Sequence, residues 1–178
     1  MKKGFTLIEL LVVVGLVIII GTVGTSIITS IFRSYNKAHI INEIEQNGNY
    51  VLSLMESQIR NARSVSASDC DPSGHCSILT VTSQEGSTII FAITSSGMIG
   101  VVQKTTDGVA EILTNDDLET GIDVDTDASQ SYFEVSDTAP PTVKIVLKLR
   151  QAPNAPGRVD YQAETTLQTT VVVRGGYE

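Results

Sequence analysis

The sequence predicts an α+β protein: a long N-terminal helix, apolar along its first half and amphipathic along its second, packed on an antiparallel β-sheet. Three observations carry this. An uncharged apolar run extends from Leu10 through Phe32. Apolar residues then recur every three or four positions as far as about residue 65. From Ser66 onward the period falls to two and turn signals recur. The chain divides accordingly after residue 32 and again after residue 65, residues 66–178 being a β-rich domain long enough for its own core.

Residues 5–32 hold the apolar run, which at ~1.5 Å per helical residue crosses a hydrocarbon layer of ~30 Å. Lys2 and Lys3 precede it like the basic start of a secretory signal, yet the run is longer than a signal core and no A-x-A-like site closes it. A retained anchor with a short basic cytoplasmic flank fits better, which leaves the residues after Phe32 outside the cytoplasm. Gly15, Gly21, Gly24, Thr22, Thr25 and Ser26 favour close helix–helix approach, and their low helix propensity predicts local melting across residues 21–26. Glu9 interrupts the start of this segment. A carboxylate costs ~2.5–3.5 kcal/mol at mid-bilayer and less near the edge, so its retention signals a function and a partner.

In residues 33–65, Ile41, Ile44, Gly48, Val51, Met55, Ile59 and Ala62 form one apolar stripe. Helix is expected to about residue 65, with a kink at Asn47-Gly48-Asn49. Beyond it, strands are expected at 78–82, 88–94, 98–103, 110–114, 132–136, 143–150 and 161–174. Glu85-Gly86, Ser96-Gly97, Asp107-Gly108 and the stretch 153–157 supply turns between them.

Cys70 and Cys76, the only cysteines, bracket a short Pro-, Gly- and Ser-containing loop. That spacing suggests a local disulfide formed in an oxidising compartment. Free thiols and a zinc site using Cys70, His75 and Cys76 are the alternatives; zinc wants four ligands, and the other histidine, His39, is distant in sequence.

The net charge of −8 argues against a sequence-independent grip on nucleic acid or anionic lipid. Acidic residues crowd the stretch between Lys104 and Lys144, which contains no Lys or Arg. Within it, Asp123, Asp125, Asp127 and Glu134 occupy the first, third, fifth and twelfth places of a calcium-loop pattern. Ala128 stands where that loop needs glycine, and Ile122 and Val124 alternating with Asp123 and Asp125 equally describe a half-exposed strand. Calcium is the one cofactor the sequence raises. His39 and His75 have no nucleophile in a catalytic setting, and there is no phosphate-binding glycine loop or His-Glu metal motif. No enzyme is expected.

The stretch Lys2-Lys3-Gly4-Phe5-Thr6-Leu7-Ile8-Glu9-Leu10, continuing into LVVVGLV, closely resembles the class III signal of type IV pilins and type II secretion pseudopilins. The resemblance implies cleavage by a prepilin peptidase between Gly4 and Phe5 and N-methylation of Phe5. It implies a helix that anchors the subunit in the inner membrane and later packs into a filament core. There Glu9 would pair with the Phe5 amine of the neighbouring subunit and set its register. The segments Gln58-Ile59-Arg60-Asn61-Ala62 and Leu167-Gln168-Thr169-Thr170-Val171-Val172-Val173-Arg174 are similar to J-type minor pseudopilins and W-type minor pilins. Two departures stand out: the first helix has no proline, Ser26 lying near that place, and the C-terminal cysteine pair of many major pilins is absent.

The resemblance thus implies a structural subunit that helps initiate or cap a periplasmic pseudopilus or a type IV pilus. It would be a single-pass inner-membrane protein with its C-terminal domain extracytoplasmic, passing later into the filament. Its expected partners are the peptidase, other minor and major subunits, the inner-membrane assembly platform and, before assembly, the membrane. Nucleic acid is not expected. The alternative is a ligand-binding pilin, serving DNA uptake or adhesion.

Overall fold

A computed structural model of the chain describes residues 6–136, 139–155 and 163–174. Its first element is helix α1, Leu7–Arg60. At ~1.5 Å per residue those 54 residues measure about 80 Å. Thr6 caps the helix.

The helix is unbroken in both places where the sequence predicts weakness. Across residues 21–26 the hydroxyls turn inward instead of melting the turn. Thr25 donates to the Gly21 carbonyl at 2.9 Å, Ser26 to Thr22 at 2.9 Å, and Thr29 to Thr25 at 2.8 Å. Such back-bonding satisfies polar groups on a helix that has no other surface to offer them. At Asn47-Gly48-Asn49 there is also no interruption. Gly48 is there for a different reason: a Cβ at this position would collide with the Cδ1 atoms of Leu149 and Leu167. The glycine lets the helix seat against the sheet.

The helix does end before residue 65. Asn61 caps it, and Ala62 and Val65 belong to strand β1, Ala62–Cys70. Here the period of two has already begun: Val65 and Ala67 are half-buried while Ser64, Ser66 and Ser68 are exposed. Serines compete for backbone hydrogen bonds and favour an exit from helix.

Eight more strands follow: β2 (Cys76–Ser83), β3 (Thr88–Ser96), β4 (Ile99–Thr106), β5 (Val109–Ile112), β6 (Ile122–Val124), β7 (Tyr132–Ser136), β8 (Thr142–Gln151) and β9 (Glu164–Val172). Each expected run falls on one of them, save that residues 161–162 lie outside the described residues. Strand β1 is an addition to what the sequence predicts, whereas β6 takes the strand alternative to the calcium loop, buried along its length where half-exposure is expected. All pairings are antiparallel, in the order β5-β4-β3-β2-β7-β8-β6, with β1 added on β2 and β9 on β8.

The sheet curls around the second half of α1. Val51, Met55 and Ile59 face Leu79, Phe91, Phe133, Ile145, Leu147 and Val171, all essentially inaccessible. Burying large side chains of this kind contributes about 1.5–3 kcal/mol each, which holds the helix in the sheet. The curl brings β6 against β4 without a ladder between them: a Cβ on Gly100 would strike the Val124 carbonyl.

Candidate functional site

Among the described residues the first half of α1 has no packing partner. No residue from 6 to 35 is buried, and Leu7, Ile20 and Phe32 keep 82%, 70% and 63% of their surface. This bare apolar arm is a candidate single membrane span. Its amino end carries the one ionisable group between Leu7 and Phe32, Glu9. The Glu9 carboxylate accepts from the Thr6 amide at 3.3 Å and the Thr6 hydroxyl at 3.2 Å, while the Glu9 amide donates to the Thr6 hydroxyl at 3.3 Å. That is a reciprocal capping box, and a negative charge in the first turn also suits the positive end of the helix dipole. Two hydrogen bonds leave a carboxylate with spare lone pairs, so it retains capacity for a cation. Gly4 and Phe5 lie outside the described residues.

Cys70 and Cys76 are joined as a disulfide. They are direct partners across the β1–β2 pair, so the bridge closes the end of a hairpin. The loop between them is folded on Asp71, whose Oδ1 accepts from the Ser73 amide at 2.8 Å and the His75 amide at 3.0 Å. His75 stacks on Tyr132 of β7, ring centroids 3.7 Å apart. Zinc has no purchase here, since both sulfurs are committed to each other and the imidazole lies flat on a ring.

Tyr132 is also held by Lys144 of β8, which donates to the phenol oxygen at 3.1 Å and lies 3.6 Å from Glu134. The phenol oxygen, and to a lesser degree the Glu134 carboxylate, raise the Lys144 pKa above its ordinary value. The cluster pins the disulfide hairpin to the β7–β8 pair.

The four carboxylates of the calcium-like pattern are divided among other duties. Asp123, 8% exposed, accepts from the Gly100 amide at 2.7 Å and from Arg150 Nε at 2.6 Å. Asp125 lies 3.6 Å from the same guanidinium. Asp127 folds a turn by accepting from the Ser129 amide at 2.9 Å, which lowers its pKa. Glu134 pairs with Lys144 on β7 and β8. Among the described residues no three His, Cys, Asp or Glu side chains are grouped to hold a metal.

Asp123 therefore acts as a clasp between β6 and β4, and Arg150 backs it; that hydrogen bond raises the arginine's pKa. Arg150 is the residue the sequence reading passed over. Its signal was the basic punctuation of VKIVLKLR, where a cation beside buried strand residues implies a carboxylate within reach. No family model matches the chain, and no curated protein or solved structure matches it.

Proposed function

We propose that the chain is a minor pseudopilin or minor pilin: a structural subunit that helps initiate or cap a filament used in protein secretion or pilus assembly. The observation that carries this is the division of α1. One uninterrupted helix has a carboxyl half buried in a β-sheet and an amino half, from Leu7 to Phe32, with nothing against it among the described residues. Apolar surface of that extent is not left to water in a soluble monomer. A membrane covers it first and neighbouring helices cover it later, the small residues Gly21, Thr25 and Thr29 allowing their close approach. The peptidase-like motif around Gly4 and Phe5 and the strand Glu164–Val172 with its Gln-Thr-Thr-Val sequence supply the rest.

Within this reading Glu9 is the register device. It pairs with the Phe5 amine of the next subunit, using the acceptor capacity that its own capping box leaves. The extracytoplasmic side suits the disulfide, which forms and persists under oxidising conditions. The deciding experiment is the N-terminus of protein extracted from membranes of a host that has a prepilin peptidase. The expected product begins at methylated Phe5; recovery of the uncut chain alone would overturn the reading.

A further inference from the structure

Between the apolar arm and the buried half of α1 lies a short exposed collar, residues 33–39. We infer that this collar, together with the β3–β4 hairpin tip, binds anionic phospholipid headgroups on the leaflet at the Phe32 end of the span. The inference rests on the membrane-anchored reading above.

Four observations converge on it. No acidic residue occurs between Glu9 and Glu43, whereas Arg33 and Lys37 both fall there. With Ile41 they are spaced four apart, so they share one helix face. Second, Phe32 and Tyr35, 63% and 68% exposed, bracket Arg33 with aromatic rings of the kind that settle at a membrane–water boundary. Third, Lys37 stands five residues beyond Phe32, about 7–8 Å along the helix axis. A headgroup layer is roughly 5–8 Å deep on each side of the hydrocarbon core, so both cations sit at phosphate level.

The fourth observation comes from the fold. Met98, at the tip of the β3–β4 hairpin, is 73% exposed, more than any other large apolar residue described in the β-domain. It lines one groove of about 880 Å³ with Lys37 and Ile41, so the hairpin tip is beside the collar and not out on the domain's far end. Asp123 and Arg150 line that groove too and are paired with each other, and Glu164, also in the lining, lies 3.7 Å from Lys148, so these charges offset one another there. An exposed methionine beside a cation presents an apolar contact and a charge to the same lipid. The chain's net charge of −8 opposes adhesion to anionic lipid taken whole, which confines the attraction to this collar. Removal of residues 1–4 would take Lys2 and Lys3 from the opposite flank, leaving Arg33 and Lys37 as the basic side chains next to the membrane.

The chain contains no tryptophan, so Met98→Trp gives a single indole reporter at the hairpin tip. The full-length variant is reconstituted into vesicles of phosphatidylcholine alone or mixed with phosphatidylglycerol, and quenching by headgroup-labelled lipid is read. We expect a labelled anionic lipid to be enriched around the indole relative to a labelled zwitterionic one by about fivefold per cation, an advantage erased by high salt. Arg33→Gln/Lys37→Gln, at exposed positions outside the core, should bring the two labels to equality. A Tyr35→Trp reporter read the same way guards against a perturbed hairpin tip. Protein that floats with both vesicle types yet shows no headgroup preference at either reporter overturns this inference alone. Protein that fails to float with any vesicle overturns it together with the membrane-anchored reading.

Discussion

Single residues carry the functional argument at two places. Glu9 is the clearest. Its capping box occupies part of the carboxylate, and the rest is the register contact proposed for assembly. Glu9→Val should still insert in the membrane, because losing a charge makes the segment more apolar. It should fail to incorporate. Breaking a buried pair from one side costs about 3–5 kcal/mol, over a hundredfold in an assembly equilibrium. Crosslinking to filament partners at matched membrane levels measures this; equal crosslinking would remove Glu9 from the mechanism. The second place is acid stability. Asp117 is held below the ordinary carboxylate pKa mainly by the Thr120 and Glu119 amides, and Asp127 by the Ser129 amide. Their folded values lie below their unfolded ones. Their contribution is therefore complete above about pH 4 and is lost as pH falls through the lower folded values. Asp117→Asn/Asp127→Asn should lower stability at neutral pH and converge with the wild type in acid, so that the acid limb of the stability curve flattens. Glu9 was legible because a charge in an apolar run is conspicuous, whereas the loop hydrogen bonds of Asp117 and Asp127 depend on turns that composition does not specify.

At the scale of elements, the helix-to-sheet contact and the clasp between β4 and β6 are the vulnerable joints. Gly48→Val would drive two methyl groups into Leu149 and Leu167, whose side-chain ends must then move. Overpacking of this kind costs typically ~1–3 kcal/mol, measurable as a lowered denaturant midpoint. Asp123→Ala would leave the buried Gly100 amide without an acceptor and Arg150 without its closest carboxylate. We expect a loss of about 2–3 kcal/mol, with hydrogen-exchange protection falling first along β6 and the facing end of β4. These same joints mark where sequence reading falls short. The long runs with period two, such as Val143 to Arg150, declared themselves. β6 spans only Ile122–Val124, so short that its alternation with acidic residues fits a strand and a calcium loop alike. The serines after Arg60 shift the chain from one period to the other within a few residues, so periodicity alone carries the helix past its end at Arg60. Gly48 looked like a flexure because a glycine's reason for being in a helix is written in what touches it, here residues about a hundred positions away.

At the scale of the whole molecule, the unbroken helix makes the arm and the domain one rigid piece. Each residue of α1 advances the chain about 1.5 Å and turns it about 100°. The collar is thus a phase ruler: the azimuth at which the domain faces its surroundings is fixed by how many residues separate Phe32 from Ile40. One alanine inserted after Lys37 would swing the domain about 100° around the helix axis, two about 200°, and neither would disturb a buried contact. Seven would bring it back to within about 20° of its original heading, raised by roughly 10 Å. If subunits dock on fixed neighbours, incorporation should collapse with one or two inserted residues and partly return with seven. Uniform tolerance of all three insertions would show that the domain's heading is set by something other than this helix.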